Sequence, residues 1–139
     1  AVNGDKGQAS ASAYKLTGYN DELHTISGAV GDGRSEVCWT IFSKDEKNVF
    51  ITNFGDGTIS TYDVHPDGSI SLKESVAAAT TFGELSVRDE EITPDGRYLY
   101  AIDITAQKVF GWRVGDGAHL TPVGAVGGVP GTVAGIAVR

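Results

Sequence analysis

Apolar and polar positions along this chain alternate in short runs and never hold a helical period. Val49 and Ile51 alternate with Phe50 and Thr52, and Ile59, Thr61 and Asp63 alternate with Ser60, Tyr62 and Val64. Tyr98-Leu99-Tyr100-Ala101-Ile102 is aromatic, β-branched and apolar, with turn residues on both sides. A period of two predicts strands. The punctuation is residues 44–47, Phe54-Gly55-Asp56-Gly57, Pro66-Asp67-Gly68, Pro94-Asp95-Gly96 and Gly115-Asp116-Gly117. Asp-Gly pairs favour tight turns, because Gly accepts positive φ and Asp bonds nearby backbone. Gly96 and Gly117 are therefore expected in tight turns, at least one with positive φ. The pattern predicts strands over 10–16, 22–29, 37–43, 48–53, 58–64, 69–76, 86–93, 97–103, 108–114, 119–126 and 134–138, and essentially no α-helix.

The strands repeat. Phe42–Asn53 aligns with Ile92–Asp103, and Thr61-Tyr62-Asp63-Val64 with Gly111-Trp112-Arg113-Val114, both at an offset of 50. Ala13-Tyr14-Lys15-Leu16 begins an earlier copy. A period near 50 is the signature of propeller blades, since helical solenoid units are shorter. The expected fold is all-β, with two and a half to three four-stranded antiparallel blades: a half blade at 10–30, blades at 36–77 and 86–127, and a single strand at 133–138. A propeller closes with about 4–8 blades, and an open stack exposes apolar sheet faces. The chain is thus expected beside further blades, from a longer parent chain, a cleaved partner or copies of itself. Ala1–Ala9 has no alternating apolar pattern and is expected to be loosely held, because little burial offsets its ordering entropy.

Composition narrows the function. The 139 residues carry a net charge of −7, which disfavours nucleic-acid binding, a task that needs a basic face. No run approaches the roughly 18 apolar residues of a membrane-spanning helix. The single cysteine, Cys38, excludes an intrachain disulfide or a Cys-based zinc site. No phosphate loop, nucleophile elbow, metalloprotease helix or EF-hand spacing is present, so no cofactor or metal is expected. The chain starts with Ala and contains no Met, as a mature or truncated chain would, and this favours a secreted or extracytoplasmic setting slightly.

The segments Glu36–Asp45, Val49–Asn53, Gly57–Tyr62 and Asp67–Ile70 together resemble the lactonase-type seven-bladed β-propellers, the 6-phosphogluconolactonase-like and carboxymuconate-cyclase-like proteins. Thr93–Tyr100 and the ending Gly128–Val138 are similar to that family's last blades. The resemblance implies that about four N-terminal blades lie outside this chain. It also implies hydrolysis of a sugar or organic-acid lactone, or the reverse ring closure; a non-catalytic propeller that binds a ligand or protein is the alternative. Enzymes of the family are expected to use His, Arg and Glu near the top of the channel. Here His24 and His119 fall in outermost strands and His65 opens an outer turn, so no catalytic histidine is assigned.

The expected inner strands align as Cys38–Phe42, Arg88–Ile92 and Ala134–Val138. Inner strands are normally apolar, and Arg88-Asp89-Glu90-Glu91 departs from that rule, since buried charges are costly unless paired. Arg88 and a carboxylate facing the channel mouth could bind an anion and activate water. The structural alternative has Asp89 capping backbone amides and Arg88 pairing with Glu90 or Glu91. The loops before the inner strands add Arg34, Glu36 and Glu84, so the candidate substrate-binding residues are Arg34, Glu36, Glu84, Arg88, Asp89 and Glu90. Cys38 is read as a buried residue and Trp39 as a packing residue, because no His or base activates the thiol. Tyr62 and Trp112 hold equivalent repeat positions and are read as blade packing.

Overall fold

The computed structural model of the chain describes residues 2–3, 9–18 and 22–139. Three antiparallel sheets are present among them. The first contains β1 (Val2–Asn3), β2 (Ser10–Thr17) and β3 (Glu22–Gly31), in that order. The second contains β4 (Val37–Phe42), β5 (Asn48–Asn53), β6 (Thr58–Val64) and β7 (Ile70–Ala79), also in chain order. The third contains β8 (Val87–Ile92), β9 (Tyr98–Asp103), β10 (Lys108–Val114) and β11 (Leu120–Gly127), again as a meander. A 3-10 turn, Asp116–Ala118, precedes β11.

The sheets stack through apolar seams. β5 is buried along its whole length and β6 over its first five residues, because both faces of the middle sheet meet neighbours. Ala9, Ala11, Val37, Val49, Ile51 and Tyr62 form the cluster on the side of the first sheet. Phe50, Ile59 and Val87 join Leu99, Ala101 and Trp112 in the cluster between the second and third. Tyr62 and Trp112 are packing residues as expected, at 0% and 3% exposure. The Tyr62 hydroxyl donates to Val30 O at 3.0 Å and so ties β6 to β3. Tyr62→Phe is expected to lower stability by about 1 kcal/mol. Urea denaturation checks this, and an unmoved midpoint would show that the hydroxyl contributes nothing.

The repeat reaches down to the turns. Ser43 Oγ donates to Asp45 Oδ1 at 2.7 Å, and Thr93 Oγ1 to Asp95 Oδ1 at 2.6 Å. The Lys47 and Arg97 amides also donate to Asp45 and Asp95 respectively. The Thr93 hydroxyl, followed by the Arg97 amide, holds the Asp95 carboxyl down at about 2. Gly96 and Gly117 both take positive φ, 76° and 62°.

Three expectations change. Residues 133–138 form no ladder. They meet β8 through a side chain instead, the Ile136 amide donating to Asp89 Oδ2 at 2.9 Å. A strand is defined by its pairing, and alternation alone cannot supply the partner. Of Ala1–Ala9, Val2 and Asn3 pair with Ala11 and Ser10, and Ala9 is fully buried; the remainder lies outside the described residues. The anchor there is backbone pairing, which leaves no apolar alternation to read. Cys38 is exposed, not buried as expected, and Trp39, read as a packing residue, is 37% exposed. A β-bulge between Val37 and Thr40 turns them out of the ladder.

Candidate functional site

One end of the stack is built from four segments that lock together through backbone. The Phe54 amide donates to Glu36 O at 2.9 Å and the Gly55 amide to Ser35 O at 3.0 Å. The Gly83 amide donates to Asp56 O at 2.8 Å, and the Ser86 amide to Phe54 O at 3.0 Å. The Ile104 amide reaches Ser86 O at 3.1 Å, and Thr105 Oγ1 donates to Leu85 O at 2.6 Å. The loops at 32–36 and 80–86 and the turns at 53–57 and 103–107 therefore share a single face. All six candidate residues lie on these loops or on β8, the strand that leaves the second of them.

Arg34 is held tightly. Its guanidinium lies 3.5 Å from Asp56, and its amide donates to Asp32 Oδ1 at 2.8 Å. Asp32 is buried, and burial raises its carboxyl, an effect the Arg34 amide and Ser60 hydroxyl partly offset. Ser60 Oγ, 2.9 Å from Asp32 Oδ2, accepts from Asn53 Nδ2 at 2.8 Å. Asn53 Nδ2 also donates to Thr58 Oγ1, which donates to Asp56 Oδ1 at 2.6 Å. Asp32, Asn53, Asp56 and Ser60 were not among the sequence candidates. Their signal was the repeat itself, which sets Asn53 against Asp103. Asp103 fastens the next blade, accepting from Thr81 Oγ1 at 2.7 Å and the Ala106 amide at 2.7 Å.

Glu36, just ahead of β4, and Arg88, on β8, both act electrostatically on Cys38. Glu36 has left-handed backbone, with φ of 54°, a conformation that stores strain in a residue other than Gly. Its carbonyl accepts from Phe54 N, and the Cys38 thiol approaches the same oxygen at 3.4 Å. Partial burial and then the Glu36 charge push the Cys38 thiol up, with Arg88 pulling the other way. The sulfur therefore stays a neutral thiol near pH 7 and is no nucleophile. Arg88 sits with its guanidinium carbon 5.8 Å from the centre of the Phe54 ring, and its Nη1 donates to Val133 O at 3.4 Å.

The charged run on β8 divides into different roles. Asp89 caps the Glu90 and Ile136 amides, both at 2.9 Å. Arg88 pairs with neither Glu90 nor Glu91, contrary to the structural alternative, because Phe54 and Val133 engage it. Glu90 is buried, with both carboxyl oxygens lacking a hydrogen-bond partner. Burial, then the charges of Asp89 and Glu91, push its carboxyl well up. Glu84 is exposed, and no hydrogen bond of its carboxylate ties it to the other five candidates among the described residues. His24 lies 3.5 Å from Glu22 on β3, and His65 meets Ser71, both away from Arg88. Among the described residues, no group of three or more His, Cys, Asp or Glu could hold a metal ion.

Three stacked antiparallel sheets, two of four strands and one of three among the described residues, with loops and charges collected at one end, define part of a β-propeller. Residues 1–133 match the family described as lactonase, 7-bladed beta-propeller. The chain belongs to that family. A solved structure from Bacteroides fragilis, whose 6-phosphogluconolactonase assignment is provisional, superposes with a TM-score of 0.74 at 22% identity, over 94% of this chain and 40% of that one. A Lactobacillus plantarum protein gives 0.71 at 17% identity, over 91% and 37%. The periplasmic gluconolactonase of Pseudomonas aeruginosa gives 0.68 at 16% identity, over 91% and 35%. At these identities the likeness is one of fold, and the chain spans about two fifths of those structures or less. No curated protein matches the sequence.

Proposed function

We propose that this chain carries part of the active surface of a lactonase that opens a sugar or organic-acid lactone. The observation that supports it is that a carboxylate, Glu36, and a guanidinium, Arg88, both act on Cys38 at the loop-bearing end of the stack, in a chain of the lactonase family. Water attacks the lactone carbonyl carbon while the Glu36 carboxylate takes its proton. The guanidinium of Arg88 balances charge on the carbonyl oxygen or on an anionic substituent. The bond to the ring oxygen then breaks, that oxygen takes the proton back, and the hydroxy acid leaves. The step consumes only lactone and water and needs no cofactor. Arg34, tied to Asp56, and Asp89, bonded to two amides, are positioning residues in this scheme.

Hydrolysis of 6-phosphogluconolactone and gluconolactone, followed by pH-stat above the spontaneous rate, tests the proposal on the chain and on any longer polypeptide that contains it. Arg88→Ala and Glu36→Gln are each expected to lower kcat/KM by about 100-fold. Binding of the lactone without accelerated opening would instead favour the non-catalytic reading. Among the described residues Arg88 is engaged by Val133 O and the Phe54 ring and no histidine is bonded to it, which favours that second reading.

A further inference from the structure

The loop between the second and third sheets carries apolar side chains that the fold leaves uncovered. Phe82 is 65% exposed and Leu85 51%, on either side of Gly83 and Glu84, which are exposed too. A sheet of four strands stands on each side of this loop, β4–β7 before it and β8–β11 after it. The loop is firmly seated between them. The Thr80 amide donates to Gly57 O, the Gly83 amide to Asp56 O and the Ser86 amide to Phe54 O. From the third sheet, Asp103 accepts from Thr81 Oγ1 and Thr105 Oγ1 donates to Leu85 O. Hydrogen bonds thus order the loop, and the two large apolar side chains contribute little burial to it. A lone exposed apolar residue is ordinary, whereas two held out on one fixed loop beside a candidate site offer a contact surface.

That surface is continuous with the site. Phe54, bonded to Ser86 through its carbonyl, sets its ring 5.8 Å from the Arg88 guanidinium carbon. Leu85 directly precedes Ser86, and β8 brings Arg88 in two residues after it. Charge then separates the ligands that could use the surface. The loops and turns at this end bear Asp32, Glu36, Asp56, Glu84 and Asp103 against one cation, Arg34, which is already paired with Asp56. β8 adds Arg88 and Asp89. An anionic substituent meets a field of its own sign here, with Glu84 nearest the apolar pair in sequence, while a neutral apolar substituent meets Phe82 and Leu85.

We propose that Phe82 and Leu85 form a specificity rim that selects lactones with a neutral apolar side chain, which lies across them while the ring meets Arg88. The proposal rests on the lactonase reading and narrows it to organic-acid lactones, such as those of γ-hydroxyalkanoic acids. Glu84, between the two rim residues, turns away phosphorylated and carboxylated lactones.

The probes are γ-lactones with no side chain and with ethyl, butyl and hexyl side chains, beside 6-phosphogluconolactone. They are offered to the longest polypeptide that contains this chain. kcat/KM is expected to rise by about twofold for each added methylene, the value for half-burial. Phe82→Ser combined with Leu85→Ser should flatten that slope, so that the ratio of hexyl to unsubstituted lactone falls by about tenfold. Glu84→Lys should move the preference toward 6-phosphogluconolactone by about threefold. Calorimetric binding of the same series separates the rim from the hydrolysis. Affinity that grows with chain length and is lost in the double serine variant, without ring opening, keeps the rim and removes the lactonase reading. No binding of any lactone, rates and affinities that ignore chain length, or a dependence that the double variant retains overturns the proposal. So does a preference of the unaltered protein for the phosphorylated lactone. Self-association that the double variant abolishes, in place of any chain-length effect, would make the rim a protein contact and overturns it as well.

Discussion

Glu90→Leu is expected to stabilise the chain at neutral and mildly alkaline pH and to remove most of the pH dependence of its stability in that range. Glu90 sits opposite Ala101 in the β8–β9 ladder, and directly paired residues share a face. That face carries Leu99 and Ala101, which pack with Phe50 and Ile59 of the middle sheet. The carboxyl is therefore enclosed in an apolar seam, and neither oxygen has a partner. Burial first, then Asp89 and Glu91, hold it neutral to a pH well above the ordinary glutamate range. An unfolded glutamate titrates near about 4.3. The folded chain keeps its proton above that value, so the stability tied to neutral Glu90 is complete below it and is lost as pH rises through the folded pKa. Leucine removes both the unpaired polar group and the titration, for a gain of about 1–3 kcal/mol. Glu90→Gln should flatten the pH dependence with a smaller gain, since its amide stays unpaired. Urea midpoints from pH 4 to pH 9 decide the matter. A loss of stability in Glu90→Leu, with the original pH slope retained, would mean that the carboxyl has a partner in solution.

The burial of Glu90 shows why the fold was more legible than the site. Blade strands could be placed because alternation and Asp-Gly punctuation are local, and β5, β6, β9 and β10 fall where the pattern set them. Facing is another matter. Val87 and Glu90 are three residues apart, which in a regular strand puts them on opposite faces. A bulge between them lets Val87 pair with Asp103 and Glu90 with Ala101, two positions on one face. The same bulge separates Val37 from Thr40 and turns Cys38 and Trp39 outward. No residue type announces such a bulge, so which way these side chains face could not be read from the sequence. Pairing is equally hidden. Val133–Val138 has strand composition without a ladder, and Val2–Asn3 has a ladder that only its backbone explains. Charge identity was legible at Arg34, Glu36 and Arg88. The Asp32–Ser60–Asn53 network that fixes Arg34 depends on contacts from separate strands and turns.

Gly57→Ala is expected to be the most destabilising small substitution at the loop-bearing end. Gly57 closes the turn between β5 and β6 with φ of 67°, and its amide donates to Asn53 O at 3.0 Å. An L side chain in that backbone region costs about 1–2 kcal/mol by itself. Space is the larger obstacle. A Cβ here would stand 2.3 Å from Thr81 O and 2.5 Å from Ser86 Oγ. Thr81 O belongs to the backbone of the 80–86 loop, so relief requires that loop to move, and overpacking of this kind adds about 1–3 kcal/mol. The Thr80 amide, which donates to Gly57 O at 2.9 Å, and the Gly83 amide, which donates to Asp56 O, move with it. That shift separates Phe54 from Ser86 and withdraws the ring on which Arg88 rests. The expected loss is about 2–5 kcal/mol in urea denaturation. Gly18, also at positive φ but with none of the described residues within 4 Å of where a Cβ would stand, supplies the control, where Ala should cost only about 1–2 kcal/mol. Equal losses at the two positions would show that the 80–86 loop yields freely, and that its close packing on the turn does not position Arg88.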